Sequence, residues 1–200
     1  MIGGFMGVGT PPRLIDETIR QGKKNLVVIA NDTARPGVGI GKLIDANLVR
    51  KIIVSHIGTN PVTQRKMLAS EIEVELSPQG TLVERIRAGG YGLGGVLTPT
   101  GLGTIVEADK QTLEIDGRLF LLEKPLKADF AYLYAKQSDH IGNLTFALTA
   151  RNFNPVMAMA ASVVIAEAQN IVPVGVIPPD AVMTPAILVN YLISKDRRHG

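Results

Sequence analysis

The 200-residue sequence contains no cysteine and no tryptophan, and its aromatic residues are four tyrosines and five phenylalanines. The absence of cysteine excludes disulfide bonds, thiolate nucleophiles and cysteine metal ligands, and it fits a reducing compartment. The small number of rings leaves few surfaces on which nucleic-acid bases could stack. We therefore expect a cytoplasmic protein that uses neither cysteine chemistry of its own nor stacking on nucleic-acid bases.

The chain also lacks a strong charge of either sign, long apolar runs and a metal-ligand pattern. Its 21 basic and 18 acidic residues are mixed, and the one basic cluster is the terminal KDRRHG. No apolar run reaches the roughly 18 residues that span a bilayer, and the start lacks the pattern of a signal peptide. The three histidines, His56, His140 and His199, have no metal-ligand spacing. We expect no nucleic-acid partner, no membrane insertion and no metal.

What the chain does have is a hydrophobic fraction of 46%, enough for a sizeable core, and no linker or repeat. We expect one domain over residues 1–200. Continuous apolar runs alternate with amphipathic runs through the first hundred residues, which predicts an α/β fold with a mostly parallel sheet flanked by helices. Helices are predicted at 11–21, 41–49, 60–70, 80–90 and 154–162, and strands at 25–32, 51–58, 71–80, 128–136, 162–168 and 170–176.

Two apolar runs at 111–125 are joined by Asp116-Gly117, a pair typical of a tight hairpin turn. This pattern predicts an antiparallel excursion from the parallel sheet.

The stretch GGFMGVGTPP places four glycines within seven residues, directly before the first predicted helix. Thr10 is placed to cap that helix, and a proline follows at its start. A glycine turn that leads into a helix suits ligand binding at the edge of a parallel sheet. The spacing matches neither a phosphate-binding P-loop nor the dinucleotide fingerprint. From the residues alone, contact with a ligand and close packing of the backbone both remain open.

Several blocks, in order along the chain, resemble the alpha-type subunits of the CoA-transferases that exchange CoA between short-chain carboxylic acids. They are GGFMGVGTP, IANDTA, SHIGTNP, LSPQGTLVERIRAGGYGLGGVLTPTG and LTARNFNP. The similarity covers essentially the whole chain and is closest to the acetate and acetoacetate CoA-transferase alpha subunits. It implies the CoA-transferase fold, CoA or acyl-CoA as a substrate, and no permanently bound cofactor.

The resemblance also implies a mechanism. A glutamate carboxylate attacks an acyl-CoA thioester, and the released thiolate returns to form an enzyme-bound glutamyl-CoA thioester, from which a second carboxylic acid takes the CoA. In this family the glutamate lies in a Ser-Glu-Asn-Gly motif on the beta-type half, and this sequence has no such tetrapeptide. We therefore expect no catalytic nucleophile in this chain and a beta-subunit partner, in an alpha2beta2 or larger assembly.

The site residues follow from the resemblance, position by position. The loop associated with CoA binding maps onto Gly3, Gly4, Phe5, Met6, Gly7, Val8 and Gly9. Asn31 and Gln79 match an asparagine and a glutamine that line the family's active site, although a glutamine in a turn is commonplace. Asp32 and Arg151 receive no role, and for Arg151 we favour fastening of the following helix, with Asn154 as its cap.

Two further expectations concern the rival functions and the chain's start. A sugar-phosphate isomerase of related architecture would need a sugar phosphate and no CoA, and a non-catalytic CoA-binding module would need no partner. Family members carry an additional N-terminal segment with a strand that enters the glycine loop. Here only Met1 and Ile2 precede the loop, so we expect that strand to be almost absent.

Overall fold

The computed structural model describes residues 1–194, so the terminal basic cluster and His199 lie outside the described residues. Helices and strands alternate over the first hundred residues, as the sequence pattern predicts. The helices are α1 (Pro12–Arg20), α2 (Gly41–Asp45), α3 (Pro61–Leu68), α4 (Gln79–Tyr91) and α5 (Asn154–Met157). The strands are β1 (Leu26–Ile29), β2 (Val49–Val54), β3 (Glu73–Leu76), β4 (Val96–Thr98), β5 (Thr112–Ile115), β6 (Arg118–Glu123), β7 (Ala128–Asp139), β8 (Leu144–Thr145), β9 (Ala161–Val172) and β10 (Tyr191–Ser194).

Two largely parallel sheets form the centre of the fold. The first has the order β1-β2-β3 with parallel pairs throughout, and the second has the order β10-β9-β7-β8, in which β8 alone runs antiparallel. The chain start joins them, because the Ile2 N–H donates to the carbonyl of Ile29 at 3.0 Å and the Gly3 N–H to that of Tyr132 at 2.9 Å. Residues 1–3 thus occupy the place between β1 and β7 and lead into the glycine loop.

A third, antiparallel sheet has the order β4-β6-β5. Its hairpin turns at Asp116 and Gly117, whose φ angles of 50° and 72° are those of a two-residue turn that favours Asp-Gly. The predicted α/β fold with an antiparallel excursion is therefore confirmed.

Two clusters of buried apolar side chains hold these layers together. One lies around β7 and β9 and includes the fully buried Leu133, Phe153 and Met157; the other lies around β1 and β2 and includes Ile15 and Ile52. Each such side chain stabilises the fold by about 1.5–3 kcal/mol through removal of apolar surface from water. No helix in the described part of the chain has the length and apolar character to cross a membrane.

Several sequence-based boundaries are wrong. The two strands predicted at 162–168 and 170–176 are one strand, β9, which ends at Val172. The predicted helix at 41–49 ends at Asp45, because Asn47 adopts a φ of 57° and the following residues enter β2. The helix predicted at 154–162 is the four-residue α5.

Both predicted side-chain caps are also wrong. Thr10 makes no cap bond to α1, whose N-cap position is held by Pro11. Asn154 lies inside α5 rather than before it, and the N-cap residue is Phe153. Both polar side chains are buried and used elsewhere: Thr10 packs against Gly4, and Asn154 packs against Gly3.

Candidate functional site

Polar residues follow each strand of the β1-β2-β3 sheet at its carboxyl end. Asn31 and Asp32 follow β1, Ser55 and His56 follow β2, and Gln79 begins α4 after β3. Because the strands are parallel, their carboxyl ends meet at one edge, where open α/β sheets bind ligands. A cavity of about 290 Å³ lies there, lined by Phe5, Met6, Asn31, Asp32, Ser55, His56 and Gln79.

The glycine loop forms a tight hairpin over this edge. Phe5 and Val8 exchange two backbone hydrogen bonds, each of 2.9 Å, and the turn between them has φ angles of 52° at Met6 and 86° at Gly7. Positive φ at both central positions is the two-residue turn that glycine favours at low cost. The Met6 N–H donates to Asp32 Oδ2 at 2.8 Å, which ties the loop to the sheet edge.

Most of the loop's glycines face the protein interior. A Cβ atom on Gly3 would lie 1.9 Å from Asn154 Oδ1, and one on Gly9 would lie 2.4 Å from the Cβ of Ala150. Such distances leave no room for a side chain, so close packing accounts for these glycines. Phe5 and Met6, by contrast, line the cavity, and the contact of the loop with CoA stays a prediction.

A chain of side-chain hydrogen bonds runs along the edge. Asn31 Nδ2 donates to Asp32 Oδ2 at 2.7 Å, and Asn31 Oδ1 accepts from Gln79 Nε2 at 2.9 Å. Ser55 Oγ donates to the backbone carbonyl of Asn31 at 2.7 Å. Asn31 and Asp32 are buried, whereas Gln79 is exposed to the cavity. The chain of bonds thus connects the interior with an accessible amide.

A second, larger cavity of about 640 Å³ adjoins the first. It is lined by Phe5, Gln79, Gly80, Val83, Leu148, Thr149, Arg151 and Asn152. Phe5 and Gln79 line both cavities. Arg151 is the one charged residue of this lining; its Nε donates to the carbonyl of Phe146 at 3.1 Å, and it makes no ion pair with another residue of the range 1–194. Its positive charge therefore faces a cavity without acidic residues.

The helix behind the loop is fixed by a buried carboxylate. Glu167 Oε2 accepts hydrogen bonds from the backbone N–H of Arg13 at 2.9 Å and of Leu14 at 3.4 Å, in the first turn of α1. Burial raises the pKa of the Glu167 carboxyl, and the two backbone donors offset part of that rise. This contact performs the capping that the sequence assigned to Thr10.

The structure brings together Phe5, Met6, Asn31 and Gln79 among the predicted site residues, whereas Val8 lines neither cavity. Sequence reasoning missed the lining residues Ser55, His56, Thr149 and Asn152. Ser55 and His56 occupy the same position after β2 that Asn31 and Asp32 occupy after β1. This equivalence of polar pairs after neighbouring buried strands could have identified Ser55 and His56 from the sequence. In residues 1–194, no group of three or more histidine, aspartate or glutamate side chains is placed to hold a metal ion.

Beside apolar residues and the buried Asp32 carboxylate, the two linings contain amide groups, hydroxyls, one imidazole and the Arg151 guanidinium. Amide groups, hydroxyls and a guanidinium suit the binding of carboxylates and the polarisation of acyl oxygens. Ser55 donates to a backbone carbonyl rather than to a base, so it is not arranged as an activated nucleophile. The arrangement favours binding and electrostatic stabilisation over covalent catalysis by this chain.

Comparisons with known proteins give matches over nearly the whole chain. Residues 1–195 match the family model described as coenzyme A transferase. The acetate CoA-transferase subunit alpha of Escherichia coli (strain K12) is 53% identical over 96% of this chain and 88% of its own length. The acetoacetyl-CoA:acetate/butyrate CoA transferase alpha subunit of Clostridium acetobutylicum is also 53% identical, over 98% of this chain and 89% of its own.

A solved structure shares the fold. The acyl-CoA transferase apoenzyme from Escherichia coli O157:H7 superposes with a TM-score of 0.81 over 95% of this chain at 24% identity. This chain spans 42% of that longer protein, so the likeness concerns the fold of one portion of it.

Proposed function

Because the chain belongs to the coenzyme A transferase family, we propose that it is the alpha subunit of an enzyme that moves CoA between short-chain carboxylic acids of the acetate and acetoacetate type. The observation that carries this proposal is 53% identity with two such alpha subunits over nearly the whole chain. The resemblance predicted from the motifs is confirmed, and neither the sugar-phosphate isomerase nor the non-catalytic module is supported.

In the proposed reaction a beta subunit supplies the glutamate nucleophile. Its carboxylate attacks the acyl-CoA carbonyl, which gives a mixed anhydride and releases the CoA thiolate. The thiolate then attacks the glutamyl carbonyl, which forms the glutamyl-CoA thioester and releases the first carboxylic acid as its anion. The second acid repeats these steps in reverse and leaves as acyl-CoA.

This chain would supply the groups that stabilise the charge on the acyl oxygen. Gln79 Nε2 uses one N–H in its bond to Asn31, and a primary amide nitrogen has a second N–H. Gln79 lines both cavities, so this second N–H is the donor that we assign to the developing oxyanion. The glycine loop, with Phe5 and Met6 on the cavity wall, would form the CoA side of the site.

Reconstitution tests the division of labour. This chain, a beta chain with the Ser-Glu-Asn-Gly motif, and their mixture are each assayed for transfer of CoA from acetoacetyl-CoA to acetate. Only the mixture is expected to be active, and replacement of the beta chain's motif glutamate by glutamine should abolish its activity. Full activity of this chain alone, or an assembled but inactive mixture, would contradict the proposal.

Assembly is measured separately by light scattering, where an alpha2beta2 or larger complex is expected. Calorimetry with CoA and with ribose phosphate, before and after addition of the beta chain, checks the ligand class. Binding of ribose phosphate without binding of CoA would favour an isomerase instead.

A further inference from the structure

We propose that Asp32 is a positioning residue that fixes the direction in which the Asn31 and Gln79 amides point. The inference rests on the proposed function and concerns a residue to which the family resemblance gives no role. Asp32 is 4% exposed. Its carboxylate accepts three hydrogen bonds: from the Met6 N–H at 2.8 Å, from Asn31 Nδ2 at 2.7 Å and from the Ala34 N–H at 2.7 Å.

The direction follows from the chemistry of the groups. An ionised carboxylate only accepts hydrogen bonds, whereas a primary amide donates at one end and accepts at the other. Asn31 must therefore turn its NH2 group toward Asp32, which leaves its Oδ1 atom facing Gln79. Gln79 in turn must present its NH2 group, and its Nε2 lies 2.9 Å from Asn31 Oδ1. Asp32 thus sets the orientation of Gln79 without touching it.

This orientation decides which atoms Gln79 presents to the two cavities. A reversed Gln79 amide would exchange the places of its oxygen and its nitrogen, and an acyl oxygen requires a donor. The same Asp32 oxygen, Oδ2, also holds the Met6 N–H and so fixes the loop. Asp32 therefore acts on the donor through Asn31 and on the loop directly, and these two effects can be separated by mutation.

The variant D32N has almost the same shape but carries an amide, a mixed donor and acceptor, at position 32. Whichever way this new amide turns, one or more of the three N–H donors faces an NH2 group. With its NH2 group at the site of Oδ2 the new amide still accepts from the Ala34 N–H, and reversal of Asn31, and then of Gln79, relieves the contact with Asn31 Nδ2. In the complex with the beta chain we expect kcat to fall at least about tenfold, in line with the effect of losing an oxyanion donor. We also expect KM for acyl-CoA to rise, because the loop loses its tie.

The swap variant N31D/D32N separates the two effects. A carboxylate at position 31 accepts from Gln79 and from the amide at position 32, so Gln79 regains its original direction. The Met6 N–H still faces an NH2 group. We expect kcat to return to within about threefold of the wild-type value while KM for acyl-CoA stays raised. If Asp32 had only a structural role, the swap variant would not recover kcat while its KM for acyl-CoA stays raised.

The matched control is D45N. Asp45 also accepts a backbone N–H, from Gly37 at 2.8 Å, and it lines neither cavity; its variant should keep kcat and KM within about twofold. Retention of kcat by D32N, or failure of the swap to raise kcat above that of D32N, overturns the inference. If D32N does not assemble with the beta chain, the swap variant alone tests the inference. A kcat of the swap variant below a tenth of the wild-type value then counts against the inference.

A readout without turnover keeps this test distinct from that of the proposed function. In the complex labelled with 15N-glutamine, the Gln79 side-chain NH2 signals, identified by their loss in Q79A, should move in D32N and return in the swap. Unchanged signals in D32N overturn the inference even where the enzyme is active. If the wild-type complex is inactive but the Gln79 signals still move in D32N, the proposed function is contradicted. The role of Asp32 in orienting Gln79 then still stands.

Discussion

Asn154 holds the glycine loop from inside the protein. Its Nδ2 donates to the carbonyls of Gly9 and Ala150, each at 3.0 Å, and its Oδ1 accepts from the Tyr134 N–H at 3.0 Å. The side chain is fully buried and lies where a Cβ on Gly3 would be. One amide therefore joins the loop, β7 and the turn before α5.

The variant N154D keeps the shape but places carboxylate oxygen against two carbonyls. We expect the free energy of unfolding in urea to fall by about 3 kcal/mol, because the variant buries a charge and loses the two hydrogen bonds that the Asn154 amide donates. The control is N170D at an exposed position of β9, where a change below about 0.5 kcal/mol is expected. A loss in N154D no larger than that of the control would contradict this account.

Arg151 is the charged residue of the larger cavity, and its Nε is engaged with Phe146. The terminal guanidinium nitrogens carry the remaining donors, which suit an anionic group of the substrate. In the complex with a beta chain, R151Q should raise KM for acyl-CoA or for the acceptor acid about tenfold, a loss of about 1.4 kcal/mol, with kcat nearly unchanged. R65Q, which removes an exposed arginine of α3, serves as the charge-matched control. Equal KM values for the two variants would argue for a purely structural Arg151.

At the scale of elements, α1 depends on a carboxylate from a distant strand. Glu167 of β9 accepts the N–H groups of Arg13 and Leu14, and negative charge at a helix N-terminus is stabilising. Because α1 follows the glycine loop directly, Glu167 also fixes where the loop ends.

Burial raises the folded-state pKa of Glu167 above its ordinary value. Between the unfolded and the folded pKa the native state binds more protons than the unfolded chain, so this group's contribution to stability falls as the pH rises through that interval. In E167Q that contribution disappears. Urea unfolding of both proteins from about pH 4 upward should therefore show wild-type stability declining relative to E167Q. A difference that is independent of pH would contradict the shifted pKa.

The elements were predictable where local patterns determine them. The apolar run in β2, the amphipathic α1 and the Asp116-Gly117 turn depend on neighbours in sequence, and all three were found from it. The cap of α1 was not predictable, because Glu167 lies 154 residues from Arg13. A contact over that separation in sequence leaves no local signal. The length of β9 was missed for a related reason: pairing with β7 along ten positions extends it through residues that resemble a turn.

At the scale of the whole molecule, a buried ionic cluster attaches the antiparallel sheet to the rest. Glu123 of β6 is 1% exposed; its carboxylate lies 2.6 Å from Lys110 Nζ and 3.7 Å from Arg85 Nε. Arg85 of α4 also pairs with Glu75 of β3 at 2.8 Å and donates to the carbonyl of Lys124. The arginine therefore connects three layers.

The variant R85M removes the cation at the centre of this cluster. We expect a loss of about 3 kcal/mol in unfolding free energy, because two carboxylates, one of them fully buried, lose a partner. R87M, two residues along α4, breaks only the exposed pair with Glu84 and should cost less than about 0.5 kcal/mol. Thermal or urea unfolding of both variants measures the contrast. A loss in R85M as small as that in R87M would show that the cluster does not hold the sheet.

The candidate site was predictable in part for the same physical reason as the fold. Asn31 and Gln79 lie at strand ends within recognisable blocks, and the rule that parallel strands end at one edge brings them together. Arg151, Thr149 and Asn152 reach the cavity from a segment far along the chain, after β8, and only the packing of α5 against α4 and β7 places them there. That the chain forms one domain, and that the loop binds CoA, remain predictions.

The two cavities share a wall made of Phe5 and Gln79. A molecule bound in either cavity would therefore lie beside residues that also line the other cavity. Thermodynamic linkage then makes the influence reciprocal: whatever factor an occupant of one cavity imposes on affinity in the other, it receives in return. An effect transmitted through Phe5 and Gln79 would therefore be measured as the same factor from either cavity.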